Sequence, residues 1–194
     1  MNKLFRITGA FILYSVFVLS TFSCSKTHKS NSRVENEKDK FENEIYEFIN
    51  SKIIDNRDTI FLQAELRAVD TTDVNSIPDS LLSNEDKRYL IAQIFKKQIK
   101  KWDNKKVFSS YQILTLDSLR KMQKMSERQN NILLKYRAYS YSSYSLPLFS
   151  KDKAKVLIIT DNYCYGLCGS GFITLFWRIN GKWEKKYERM LWVS

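Results

Sequence analysis

Residues 154–188 read AKVLIITDNYCYGLCGSGFITLFWRINGKWEKKYE, and this stretch decides the fold. Its runs 154–160 (AKVLIIT) and 172–179 (FITLFWRI) are β-branched and apolar, the residue types that suit a pleated, half-buried surface. Asn180-Gly181 separates the second run from residues 182–188 and signals a type I′ hairpin, because both central positions of that turn need positive φ. The three runs predict an antiparallel meander. If Tyr165-Gly166-Leu167 forms the first turn, Cys164 faces Cys168. Ile159 then faces Ile173 and Leu157 faces Leu175 on one side of the sheet, while Val156 faces Phe176 and Ile158 faces Thr174 on the other. With both faces apolar, these two strands should be central and covered on both sides. The third strand alternates Trp183, Lys185 and Tyr187 against Glu184, Lys186 and Glu188, so one of its faces should meet water. Gly169-Ser170-Gly171 could hold a bulge that shifts the first register.

Upstream, the pattern is helical. Phe41, Ile45, Phe48, Ile49 and Ile53 recur on one face and predict a first helix at about 41–54. Residues 59–69 read either way, Leu62, Leu66 and Val69 suiting a helix and Thr59-Ile60-Phe61 a strand. Ser83 looks like an N-cap, with Glu85 and Asp86 in the first turn, for a second helix at about 84–102 with an apolar stripe of Leu90, Ile91, Ile94, Phe95 and Trp102. Lys96, Lys97, Lys100 and Lys101 would then compensate the dipole at its C-terminal end. A strand is expected at 107–115 and a third helix at 117–136, on Leu119, Met122, Met125, Ile132 and Leu133. Residues 138–149 alternate aromatic and small residues and read as β. The fold class is therefore α+β, N-terminal helices packed on a C-terminal antiparallel β-meander. No repeat is visible.

The N-terminus carries an address. Lys3 and Arg6 precede an apolar run from Gly9 to Phe22, about 14 residues long, short of the ~20 that span a bilayer. Thr21-Phe22-Ser23-Cys24 resembles a relaxed lipobox, the site at which a bacterial lipoprotein is lipidated on cysteine and cleaved. Residues 1–23 are thus expected to be a lipoprotein signal peptide, and Cys24 the lipid attachment site and mature N-terminus. Ser25, rather than an aspartate, favours the outer over the inner membrane. Residues 24–40 contain no large apolar residue but Val34 and are expected to form a flexible tether, with residues 41–194 a single domain.

The 194-residue chain carries a net charge of +11, which falls to +9 once Lys3 and Arg6 are removed with the signal. A basic balance could serve nucleic acid, an anionic membrane or an acidic partner; export argues against nucleic acid. Cys164 and Cys168 are the only cysteines beyond Cys24, and outside the cytoplasm two such residues are usually bonded to each other. Their spacing is one residue too long for an oxidoreductase pair and lacks the further ligands of a zinc site. A structural disulfide across the hairpin tip is expected, contributing roughly 2 kcal/mol on a chain-entropy model.

Catalysis is constrained by one absence. The only histidine is His28, in the expected tether, so a histidine-based triad or metal site has no member in the domain. No catalytic residue, metal or cofactor is expected. Gly166, Gly169 and Gly171 precede a strand rather than a helix N-terminus, so they offer no phosphate cradle and should instead supply turn and bulge conformations. Asp70 and Asp73 are the nearest approach to paired carboxylates, and two acids in a polar loop are more often simply solvated. Tyr136, Tyr139, Tyr141 and Tyr144 interleave with serines, and Tyr163 and Tyr165 flank the cysteines. Such mixtures suit recognition surfaces, which makes Tyr141, Tyr144, Tyr163 and Tyr165 the candidate partner-binding residues. The plainer account is a strand whose tyrosines pack on a neighbour while the serines face out.

Pro147 with Phe149-Ser150, the run Cys164 to Gly171, Asn180-Gly181-Lys182-Trp183 and the closing Trp192-Val193-Ser194 resemble the C-terminal region of a group of small, uncharacterised exported bacterial lipoproteins. The resemblance covers about a quarter of the chain, and because that group has no established activity it implies no catalytic residue. A hairpin ending in Gly-Lys-Trp after N-terminal helices is also similar to cone-shaped folds of the nuclear-transport-factor type, an analogy of fold alone. The expected function is a non-enzymatic binding or interaction module of the cell envelope, held to the membrane by lipid and meeting a protein or envelope partner. An immunity lipoprotein that neutralises an incoming toxin is one concrete form. The alternative is a carboxylate-dependent envelope hydrolase or transferase. An acidic cleft would favour the enzyme, an exposed aromatic patch without one the binding module.

Overall fold

The computed structural model describes residues 26–53, 61–96, 99–107, 112–128, 140–164 and 168–194. In chain order the elements are α1 (Lys26–Ile53), β1 (Phe61–Gln63), α2 (Thr71–Asn75), α3 (Asn84–Ile94), β2 (Gln112–Leu114), α4 (Leu116–Glu127), β3 (Tyr141–Tyr144), β4 (Leu148–Phe149), β5 (Lys155–Tyr163), β6 (Ser170–Ile179) and β7 (Lys182–Val193). The fold is α+β. The chain divides between Glu44 and Ile45 into two units, a boundary that falls inside α1.

The strands pair in the order β2-β1-β3-β5-β6-β7, and β4 adds to β5. The β5–β6 register is the one the side chains predict, with Leu157 opposite Leu175, Ile159 opposite Ile173, Val156 opposite Phe176 and Ile158 opposite Thr174. It runs unbroken to Asn162 opposite Ser170, so Gly169-Ser170-Gly171 holds no bulge against β5. The turn residues Tyr165, Gly166 and Leu167 lie outside the described residues. At the other end Asn180 and Gly181 have φ of 51° and 78°, as a type I′ turn requires.

Both faces of this pair are covered. Leu157, Ile159, Ile173 and Leu175 form one core with Leu148 of β4 and with Val74, Ile77, Leu82 and Leu90, brought by α2, α3 and the loop between them. Each fully buried aliphatic side chain of this kind contributes about 1.5–3 kcal/mol. On the other face α1 lays down Ile45, Phe48 and Ile49, all buried. The Phe48 ring meets Phe176 at 5.5 Å and Trp183 at 5.3 Å, edge to face.

The alternation expected of β7 is broken in the middle. The β6–β7 register shifts between Leu175 and Phe176, so Leu175 faces Tyr187 while Phe176 faces Lys185. Lys186 is the extra residue. This bulge sends Tyr187 to the α2–α3 face and leaves Trp183 and Lys185 on the α1 face, where an uninterrupted strand would keep all three together.

The other departures lie upstream. The second helix ends at Ile94, not near 102, because Phe95 is its C-cap and the Lys96 N–H bonds to the Gln93 carbonyl three residues back, closing the last turn. Further on, the Trp102 N–H donates to the Ala64 carbonyl, which places Trp102 in the core outside any helix. β1 pairs in parallel with both β2 and β3. Parallel neighbours need long crossovers, here supplied by α2–α3 and by α4 with residues 129–139, the latter outside the described residues. Strands three residues long are too short to carry a readable alternation. Residues 26–40, expected as tether, are helical backbone of α1; propagating a formed helix adds a hydrogen bond per residue without a new nucleus, and apolar content does not report on that.

Candidate functional site

α3 is placed by polar groups that each find a partner. Ser83 caps it, accepting from the Asp86 N–H at 3.2 Å. At its far end the buried Gln93 amide behaves like a strand neighbour: its Nε2 donates to the Phe149 carbonyl at 2.7 Å and its Oε1 accepts from the Phe149 N–H at 3.2 Å. Lys87 holds the loop before the helix through Asp79, at 2.5 Å. The last turn of α3 is thereby fixed to β4 at a set height.

Opposite it runs the extended segment after β1. The Leu66 N–H donates to the Lys100 carbonyl and the Arg67 N–H to the Tyr144 carbonyl. Between these walls lies a cavity of about 520 Å³ lined by Leu66, Arg67, Ala68, Val69, Ile94, Ile99, Leu146 and Leu148 together with Phe95, Lys96 and Lys100. Phe95 is 76% exposed. Neither Lys96 nor Lys100 has an ion pair among the described residues, whereas Lys101 is paired with Glu65 at 3.2 Å. An uncovered ring over an apolar groove with free cations on its rim has the composition of an interaction site.

A second cavity, of about 470 Å³, lies between α1 and the sheet, where Phe48, Phe172 and Phe176 meet Asn162, Thr174 and Glu188. Among the described residues Glu188 is its single carboxylate. It accepts from the Thr174 hydroxyl at 3.2 Å and from Lys185 at 2.9 Å.

On the opposite face the Asp161 carboxylate is buried and fully used. Oδ1 accepts from Trp192 Nε1 at 2.9 Å and Oδ2 from Arg67 Nε at 3.2 Å. Arg67 also reaches Asp73 at 3.8 Å and donates to the Ala68 carbonyl. Gly171 admits the indole: a Cβ there would lie 2.0 Å from Trp192 Nε1 and 2.6 Å from Asp161 Oδ1. Gly169 and Ser194 exchange hydrogen bonds beside the same ring. Gly169 and Gly171 are therefore required for space, and the irregularity expected near them falls against β7, where the register shifts between Gly171 and Phe172.

No protein-family model, curated protein or solved structure matches this chain. The geometry of its own residues carries the functional reading.

The residues singled out from the sequence fall in several places. Cys24 and Tyr165 lie outside the described residues. Cys164 and Cys168 stand at disulfide distance, with Cα atoms 5.7 Å apart. Tyr141 and Tyr144 are each 9% exposed, so both rings belong to the interior. Tyr163, half-buried, stacks on Tyr141 at 4.6 Å and approaches Trp192 at 5.5 Å. Burial pushes both phenol pKa values up, Tyr163 adding to the rise at Tyr141 and Asp161 to that at Tyr163. Ser142, Ser143 and Ser145 are buried as well rather than facing out. Ser145 explains why: its N–H donates to the Ile159 carbonyl while its hydroxyl accepts from the Ile159 N–H, standing in for a strand carbonyl where the chain breaks before Pro147. Asp70 and Asp73 form a capping box on α2. The hydroxyl of Thr72, then the Asp73 N–H, hold the Asp70 carboxyl below its usual range.

Phe95 is the residue that sequence reasoning misplaced. Its spacing puts it on the stripe of a long helix; the only sign to the contrary is its position at the head of the run of lysines.

Proposed function

We propose that this protein is a lipoprotein of the cell envelope, tethered through Cys24, whose folded part is a non-enzymatic binding module. The single observation supporting it is Phe95, 76% exposed beside an apolar groove with Lys96 and Lys100 on the rim. The chemistry that fits is a protein segment presenting an apolar side chain flanked by carboxylates. Apolar burial supplies affinity, and the lysines steer the approach and set orientation. An immunity lipoprotein facing a toxin is one form of this reading. Among the described residues no helix is long and apolar enough to cross a membrane, and attachment rests on the lipid. The Cys164–Cys168 pair is oxidised and structural in this reading, and the outer membrane is the expected residence.

The test is capture of a partner from envelope extract by the full chain and by Phe95→Ser and Lys96→Glu/Lys100→Glu variants. Capture should fall about tenfold or more in each variant. Capture unchanged in both would refute the site.

A second reading, a carboxylate-dependent hydrolase or transferase, is favoured by Glu188, the one acid among the described residues that line the α1-face cavity. Turnover of an envelope ester, phosphoester or peptidoglycan substrate that disappears in Glu188→Gln, with no partner captured, would establish it instead.

A further inference from the structure

β7 ends the sheet, and its outer edge carries no strand among the described residues. It is 12 residues long, and a long open edge is a template for another strand. Proteins commonly blunt such edges with charged side chains, lysine above all. β7 instead mixes signs in a pattern complementary to itself.

The bulge at Lys186 is what creates the match. Lys185 stands opposite Phe176 and Glu188 opposite Thr174, so the two share a face, and their side chains meet at 2.9 Å. Glu184, opposite Trp177, and Arg189, opposite Ile173, share the other face. Trp183, opposite Arg178, shares the face of Met190, opposite Phe172. In each pair the sequence separation is odd, which in an uninterrupted strand would put the two residues on opposite faces.

We propose that the open edge of β7 pairs antiparallel with β7 of a second copy of this chain, about a two-fold axis at the Lys186 bulge. Residues directly opposed across an antiparallel pair point to the same face, and the reset parity meets that condition. In this register Lys185 of each copy stands against Glu188 of the other, Glu184 against Arg189 and Trp183 against Met190, and the two-fold makes every pair occur twice. Met190, 51% exposed in the single chain, gains an aromatic neighbour. The register is also specified: a slip of one residue would oppose residues that point to opposite faces, and a slip of two sets Lys186 against Arg189 in one direction or against Lys185 in the other. Like charges directly opposed are destabilising.

The test measures the mass in solution of the full chain, by light scattering, for the unmodified protein, for Lys185→Glu and for Glu188→Lys. K185E makes both members of the central pair acidic and E188K makes both basic. The unmodified chain should have about twice the monomer mass. Each variant alone should have the monomer mass, and an equimolar mixture of the two should return to the dimer, because acid then faces base between chains. Recovery in the mixture also shows that both variants are folded. A Trp183→Cys/Met190→Cys chain should form an oxidised dimer, since these positions are far apart within one strand. A monomeric unmodified chain, variants that remain dimeric alone, or a mixture that stays monomeric would each overturn the proposal.

Discussion

The Asp161 centre and the Phe95 groove lie close along the chain fold, Arg67 contributing to both, yet they are built on opposite terms. Around Asp161 each polar group is met: Trp192 and Arg67 fill the carboxylate, Asp73 continues the ion pair, and Gly171 leaves room for the indole. At the groove a large ring stays uncovered and two lysines have no acid among the described residues. A region whose groups satisfy one another accounts for stability. A region that leaves apolar surface uncovered has a cost in the isolated chain that a partner can remove. The two should therefore respond to mutation in different currencies, one in folding and the other in binding.

The largest expected effect is at the satisfied end. Gly171→Val forces the Trp192 ring off Asp161, and the clash together with the lost hydrogen bond should cost about 3 kcal/mol or more, read as a drop in the denaturant midpoint. Trp192→Phe should recover part of that loss in the double variant, because the two residues compete for one space. Asp161→Ala comes next, at roughly 2–3 kcal/mol, since it strands a half-buried guanidinium and an indole N–H. An unchanged midpoint in either variant would mean that the centre is not what holds the end of the β5–β6 hairpin.

A smaller effect concerns acid. Asp152 accepts from the Ser150 hydroxyl at 2.6 Å and the Ala154 N–H at 3.0 Å, and these bonds, the hydroxyl first, hold its carboxyl below the ordinary 3.8; Asp70 is lowered similarly. A depressed carboxylate adds stability that is complete above its unfolded pKa and is lost as pH falls through the lower folded value. An Asp70→Asn/Asp152→Asn chain should accordingly lose less stability than the parent on titration from pH 5 downward, and an identical pH profile would contradict the assignment. The smallest stability effect is at Phe95, where Ser should change folding by no more than ~0.5 kcal/mol while removing capture.

The same contrast explains what could be read from the sequence. The β5–β6 register was legible because Leu157, Ile159, Ile173 and Leu175 repeat with period two and Asn180-Gly181 closes its turn locally. The Ser83 cap and the Ile45–Ile49 face were legible for the same reason, each being set by neighbours within one turn. The bulge at Lys186 was not, since it depends on how β7 meets β6. Nor was the stop after Ile94, where Phe95 continues the apolar spacing and yet serves as the C-cap, with the Lys96 N–H on the Gln93 carbonyl. Gly171 was noticed for conformational freedom, whereas its role is to leave space for a residue 21 positions away. Of the candidate site, the lysine run was visible, but the exposure of the ring beside it was not.

The most direct test of the central claim, that the unsatisfied region is the working one, is hydrogen exchange on the full chain with and without its captured partner. The account predicts slowed exchange at the amides of residues 94–96, 99–100 and 66–69, with residues 169–171 and 192–194 unchanged. Protection centred instead on residues 160–162 and 172–176, which border the α1-face cavity, or on the Asp161 centre, would contradict it.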